Sequence, residues 1–155
     1  MPKYEDFYTI FLYQGIVDND SNYFMDYIYY INKIIILVQT GEGRKFGIYH
    51  KEKIIPNHNN EFKSNCKNVI IFSFDTNKIY KFKGKNNSIS FTKDKFLSLG
   101  DDEFIIYNEY FTNGGYIDFP LKSFDFSTVN ENVLTNGNGK FSIRNIEVYS
   151  FYEIP

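Results

Sequence analysis

The stretch "KIIILVQTGEGRKFGIYH", residues 33–50, constrains the fold more than any other part of the chain. Lys33 to Thr40 is apolar on both parities, which is the pattern of a strand covered on both faces. Two glycines within three residues then permit the positive φ angles of a tight hairpin, and "KFGIYH" runs back. "NVIIFSFDTNKIYKFKG" repeats the plan: an apolar strand, a turn at Asp75 to Lys78, and Ile79, Lys81 and Lys83 alternating with Tyr80 and Phe82. Such hairpins bury their apolar sides only by packing against another layer.

The remaining elements follow the same logic. "YTIFLYQG", Tyr8 to Gly15, is rich in β-branched and aromatic residues and reads as extended. Asp20 and Ser21 are candidate N-caps for a helix of about three turns, with Tyr23, Phe24, Tyr27, Ile28 and Ile31 on one face. Residues 51–67 form a polar loop holding Pro56. "SISF" is a shorter strand, "GDDEFIIYNEYF" a strand entered through an acidic turn, and "TNGGYIDFP" a loop. "KSFDFSTVNENVLT" fits irregular segments or a short helix equally well. "NGNG" reads as a hairpin turn before a last strand from Lys140 to about Tyr152. The expected fold is mostly β (α+β): a two-sheet antiparallel β-sandwich with one or two short flanking helices. No repeat, low-complexity tract or linker divides residues 1–155, so a single domain is expected.

Size and composition agree. A chain of 155 residues buries roughly two thirds of its unfolded surface. Aromatics make up 20% of it, with 17 Phe, 14 Tyr and no Trp, so flat rings dominate the core. The formal charge is −2 with acids and bases interspersed. A nucleic-acid binder carries a basic face, and no such footprint is present. The run "IIILV" is far short of the ~20 apolar residues that a membrane span needs, so no span is expected. "MPKYEDFYTIFLY" lacks the pattern of a secretory signal, and the one cysteine, Cys66, suits a reducing compartment. The expected location is cytoplasmic.

Candidate chemistry is sparse. "GEGRKFG" lies between strands rather than ahead of a helix, which favours a hairpin turn over a phosphate loop. "GDDE" lacks the alternating ligands of a calcium loop and reads as a turn with solvated charges. His50 and His58 have no clustered cysteines to complete a zinc site. Cys66 pairs formally with either histidine as a nucleophile, although its spacing favours neither. No catalytic, cofactor-binding or metal-binding residue is expected.

In "GKFSIRNIEVYSFYEIP" the apolar parity changes. Phe141 and Ile143 share one parity, Ile146 and Val148 the other, with Glu147 between them. A β-bulge near Arg144 and Asn145 accounts for this, because one extra residue switches every later side chain to the opposite face. Ile146 and Val148 then point to the core, while Glu147, Tyr149 and Phe151 point away. Glu147 is expected to accept donors from a neighbouring loop and tie down the last strand. Its alternative role is on a binding surface.

Four blocks taken in order resemble the TLDc domain of the oxidation-resistance protein family. "TIFLYQG" with "SNYFMDYIYYIN" is similar to its opening strand and helix, and "KIIILVQTGEGRKFGIYHKEKI" to its Phe-Gly hairpin, here Phe46 and Gly47. "NVIIFSFDTNKIYKF" resembles its next block through Ile71, Phe72, Ser73, Phe74 and Tyr80. "GNGKFSIRNIEVYSF" resembles its closing signature through Gly139, Lys140, Phe141, Ile143, Ile146, Glu147, Val148 and Tyr149. The chain departs from the family at Ile48, where a second glycine is usual, and at "LSLGDDEFIIY", where a Gly-Pro-rich stretch is usual. The resemblance implies a non-enzymatic sandwich domain without cofactor, acting in oxidative-stress protection and protein binding. The implied partner is the vacuolar proton-pumping ATPase. The signature positions Phe46, Gly47, Phe72, Phe74, Phe141, Glu147 and Val148 are the candidate structural or partner-binding residues. The alternative is a Cys66-dependent redox protein or weak peroxide-handling enzyme.

Overall fold

The computed structural model describes residues 7–14, 24–85, 87–126, 132–137 and 139–153. Its strands in chain order are β1 (Phe7–Gln14), β2 (Ile34–Thr40), β3 (Lys45–His50), β4 (Phe62–Ser64), β5 (Val69–Ser73), β6 (Lys78–Lys81), β7 (Ile89–Phe91), β8 (Lys95–Leu99), β9 (Phe104–Tyr107), β10 (Gly115–Ile117), β11 (Gly139–Phe141) and β12 (Ile143–Glu153). Two short helices are α1 (Phe24–Ile28) and α2 (Tyr110–Asn113). The strands form two six-stranded antiparallel sheets, the first ordered β1-β12-β2-β3-β5-β6 and the second β11-β10-β9-β8-β7-β4. This is the expected mostly-β sandwich.

Alternation places the core between the sheets. Ile34, Ile36 and Val38 of β2, Phe46 and Ile48 of β3, Val69 and Ile71 of β5, and Ile146 and Val148 of β12 are all buried. They meet Leu97, Leu99, Phe104, Ile106 and Ile117 of the second sheet in one cluster. Phe46 meets Phe104 edge to face at 5.6 Å, and Phe104 stacks on Phe141 at 5.4 Å. These rings join the two layers near the middle. Ile48 is fully buried in this core.

The β12–β2 ladder slips between Ile143 and Asn145, so the bulge lies at Arg144 as the parity change requires. Ile143, Ile146, Val148 and Ser150 face inward, while Glu147 and Tyr149 are half-buried on the other side.

Several local expectations need correction. β2 is fully buried on one face only, since Ile35, Leu37 and Gln39 on its other face are half-buried. α1 stops at Ile28, and the left-handed backbone at Tyr30 and Lys33 ends any continuation that the apolar spacing suggested. Ile31 packs against the core but Tyr27 is exposed, so the predicted apolar stripe is not one buried face. The N-cap candidates Asp20 and Ser21, together with Tyr23, lie outside the described residues. The polar loop contains β4, and "TNGGYIDFP" contains β10. "GDDEFIIYNEYF" ends in α2 rather than in strand. The last strand is divided at Ser142, with β11 in the second sheet and β12 in the first. β11 pairs with β10, and Asn138 of the expected "NGNG" turn lies outside the described residues. Asp125 donates its N–H to the Lys81 carbonyl and the Ser123 carbonyl accepts from Lys83, bridging Phe124 to Phe82 just past β6, which gives "KSFDF" an irregular, sheet-edge course.

Candidate functional site

Four of the seven signature residues meet on the outward face of the first sheet. Backbone register aligns Glu147 of β12 with Leu37 of β2, Leu37 with Gly47 of β3, Gly47 with Phe72 of β5, and Phe72 with Ile79 of β6. The period of two that buries Phe46, Ile48 and Ile71 sends this whole row outward. Gly47 is essential to the row, because a Cβ there would overlap the Phe72 ring. The ring therefore lies over the glycine, covering backbone that would otherwise be bare.

Beyond Phe72, the Phe74 ring stands edge to face with it at 5.2 Å and is 55% exposed. Ile79 at the end of the row is also exposed. Leu37, Val38, Gln39, Lys45, Phe74, Asn145 and Glu147 line a groove of about 530 Å³ across β12, β2 and β3. Asn145 and Glu147 stand on the β12 side, and Lys45 and Phe74 on the side away from it.

The Glu147 carboxylate is fixed on the β12 side. It accepts from Asn145 Nδ2 at 3.1 Å and from the Tyr149 hydroxyl at 2.9 Å. Both donors sit two residues away on β12, on the same face, so these two bonds come from its own strand. The bulge is what brings Asn145 onto this face beside it. The Tyr149 phenol is held protonated by its bond to the carboxylate, which raises its pKa, with burial adding to the shift. At the opposite rim Asp75 accepts from the Lys45 main-chain N–H at 2.9 Å, which fixes where Phe74 leaves β5.

The other three signature residues serve the interior. Phe46 and Val148 are buried, and Phe141 stacks on Phe104. The groove residues Leu37, Gln39, Lys45 and Asn145 were not singled out from sequence. Their signal was present in the hairpin register, since Leu37 must lie beside Gly47 once β2 and β3 pair across "GEGR".

The Cys66 region has a different character. Cys66 is buried, and burial raises its thiol pKa, which disfavours the thiolate that a nucleophile requires. Ser64 occupies the space between the cysteine and His50: its Oγ accepts from the Cys66 main-chain N–H at 3.0 Å and lies 3.4 Å from His50 Nε2. His50 is fully buried, edge to face with Phe62 at 5.6 Å, and desolvation lowers its pKa while the nearby Glu52 carboxylate opposes this. The pair is therefore a packed polar contact rather than an activated thiol. Its neutral imidazole carries a pH signature. Above the ordinary histidine pKa of about 6.5 both folded and unfolded states are neutral, and below it only the unfolded state gains a proton. Stability is thus expected to fall as the pH drops below about 6.5, by up to ~1.4 kcal/mol per pH unit. Denaturant midpoints of the wild type and His50→Gln across pH 5 to 8 check this; the variant is expected to show the shallower slope.

The acidic turn is more structured than a solvated cluster. Asp102 takes 2.6 Å contacts from Lys95 Nζ and Ser98 Oγ, which hold its carboxyl below the usual range. Glu103 accepts from the main-chain N–H groups of Lys122 and Ser123. These acids brace the loop after β8. Among the described residues no three His, Cys, Asp or Glu side chains converge on a metal-sized site. Among them, too, no helix is long and apolar enough to cross a membrane.

A search of curated proteins gave no match to this chain. The model of the TLDc domain matches residues 2–152, nearly the whole length. The matched span contains both sheets, the bulge that turns Glu147 outward and the Phe-Gly pair beneath Phe72, and the chain belongs to the TLDc domain family.

Proposed function

We propose that this chain is one TLDc domain over residues 1–155 that works as a non-enzymatic, cytoplasmic binding protein. Its partner is the vacuolar proton-pumping ATPase, and its cellular role is protection against oxidative stress. One observation carries the binding reading: Phe74 and Glu147, far apart in sequence, line one groove on the outward face of the first sheet, beside the row that holds Gly47 and Phe72. Gly47 is buried beneath the Phe72 ring, whereas Phe72 and Glu147 are half-buried and Phe74 is exposed on the outward face. Exposed aromatic rings beside a positioned charge are the chemistry of protein interfaces. The ATPase and the stress role come from the family alone. The Cys66 alternative is disfavoured by the buried, protonated thiol.

The test is capture of ATPase subunits from cell lysate by the immobilised chain. Wild type is expected to retain them, and Phe74→Ala to retain at least tenfold less, about 1.4 kcal/mol, with an unchanged unfolding midpoint. A wild-type chain that never recovers ATPase subunits would sink the partner assignment. Equal retention by Phe74→Ala would remove the groove from the account.

A further inference from the structure

The formal charge is only −2, but the fold does not spread its charges evenly. Residues 78–85, "KIYKFKGK", hold four lysines and no acid. All four lysines are exposed, and among the described residues none of them is held in an ion pair. β3, β5 and β6, the last three strands of the first sheet, contain no acid either. A lysine on an edge strand ordinarily guards against pairing with another chain. Here the chain itself already takes the outer side of β6, through the bonds of Asp125 and Ser123 to Lys81 and Lys83. Alternation along β6 adds an apolar component. Tyr80 is buried, so Ile79 and Lys81 point outward, opposite Phe72 and Ile70 of β5. Ile79 is 61% exposed and Phe74 55%. An apolar patch therefore crosses β5 and β6, with Lys78 at its turn end and Lys81 and Lys83 at the other. Asp75 and Asp125 border the patch but are outnumbered, and Asp75 already accepts from the Lys45 main chain.

Exposed apolar side chains flanked by amines match a surface that is both anionic and able to take up hydrocarbon. A bilayer containing anionic lipids is such a surface, and it attracts clustered lysines without a shaped pocket. A nucleic acid would satisfy the amines but leave Ile79 in water. Recognition of one carboxylate or phosphate favours the planar fork of arginine, whereas lysine is a point charge on a flexible stem, suited to a diffuse layer of headgroups. Both arginines of the chain are turned to its own groups, Arg44 to Asn136 Oδ1 and Arg144 to the Gly41 carbonyl. Charge and apolar exposure together select the lipid surface.

We propose that the outward face of β5 and β6 rests on an anionic lipid membrane, with Ile79 and Phe74 entering the headgroup layer and the four lysines set against the anionic lipids. This goes beyond the ATPase reading and does not depend on it, since bare vesicles hold no ATPase. In co-sedimentation, the full chain is expected to bind vesicles of phosphatidylcholine mixed with phosphatidylserine, to ignore vesicles of phosphatidylcholine alone, and to be released as salt is raised. Each lysine near an anionic surface strengthens binding about fivefold, so Lys81→Glu combined with Lys83→Glu is expected to weaken it at least tenfold. Ile79→Asp is expected to weaken it at least tenfold as well. Both changes fall on exposed side chains and should leave the unfolding midpoint in place. If one variant fails to fold, the other decides, because the first removes charge and the second removes apolar contact. A wild-type chain that does not bind the mixed vesicles overturns the proposal, as does full binding by either folded variant. A chain that ignores the vesicles but is retained by an immobilised polynucleotide or acidic polypeptide also overturns it, and assigns the lysines to that polyanion.

Discussion

Phe104→Ala is expected to destabilise the protein by about 4 kcal/mol. Phe104 is fully buried and lies between Phe46 of the facing sheet and Phe141 of β11. Removing the ring opens a cavity where the two sheets touch, and neither neighbouring ring can fill it without leaving its own strand. Domains of this size lose about 2–4 °C of Tm per kcal/mol, so the midpoint should fall by roughly 8–16 °C. Against a total stability of about 5–15 kcal/mol this is a large fraction, and calorimetry reads it directly. A change of less than about 1 kcal/mol would mean that the sheets are not joined through these rings.

Gly114→Ala is expected to cost about 3 kcal/mol, for reasons of backbone rather than burial. Gly114 closes α2 with φ 62° and ψ −138°, a region occupied essentially by glycine, and donates its N–H to the Tyr110 carbonyl at 2.8 Å. A methyl group there would overlap the Phe141 carbonyl oxygen, which is main chain and cannot swing aside. Gly137→Ala is the control. A Cβ at Gly137 meets nothing within 4 Å, and its replacement should change stability by less than ~0.5 kcal/mol. Urea denaturation of both variants separates the two glycines.

The residues that were legible from sequence are those with a short-range physical signal. The parity change between Ile143 and Ile146 located the bulge because a half-buried strand tolerates no slip of one residue. The glycines of "GEGRK" located the first hairpin because positive φ is cheap only there, and Gly43 has φ 89°. The misread places lacked such signals. Phe141 and Ile143 share a parity whether they lie on one strand or on two, so the division at Ser142 left no trace in the pattern. "GYI" in β10 begins at the second of two glycines that resemble loop, yet it becomes strand because β9 and β11 lie on either side. α1 ends early although apolar spacing continues, since the left-handed backbone at Tyr30 serves the hydrogen bond from its N–H to the Ile54 carbonyl, a tertiary contact. The face was the least legible feature. Glu147, Leu37, Gly47 and Phe72 become neighbours only through the order β12-β2-β3-β5, which no local pattern states.

Glu147 is a half-buried group that is aimed outward by the bulge and positioned by Asn145 and Tyr149. Glu147→Gln keeps its shape and one acceptor oxygen while removing its charge. Measured side by side on this variant, unfolding is expected to shift by no more than ~1 kcal/mol and capture of ATPase subunits to drop at least tenfold. Loss of stability in step with loss of capture, or full capture without the charge, would contradict the claim that this face is the binding surface.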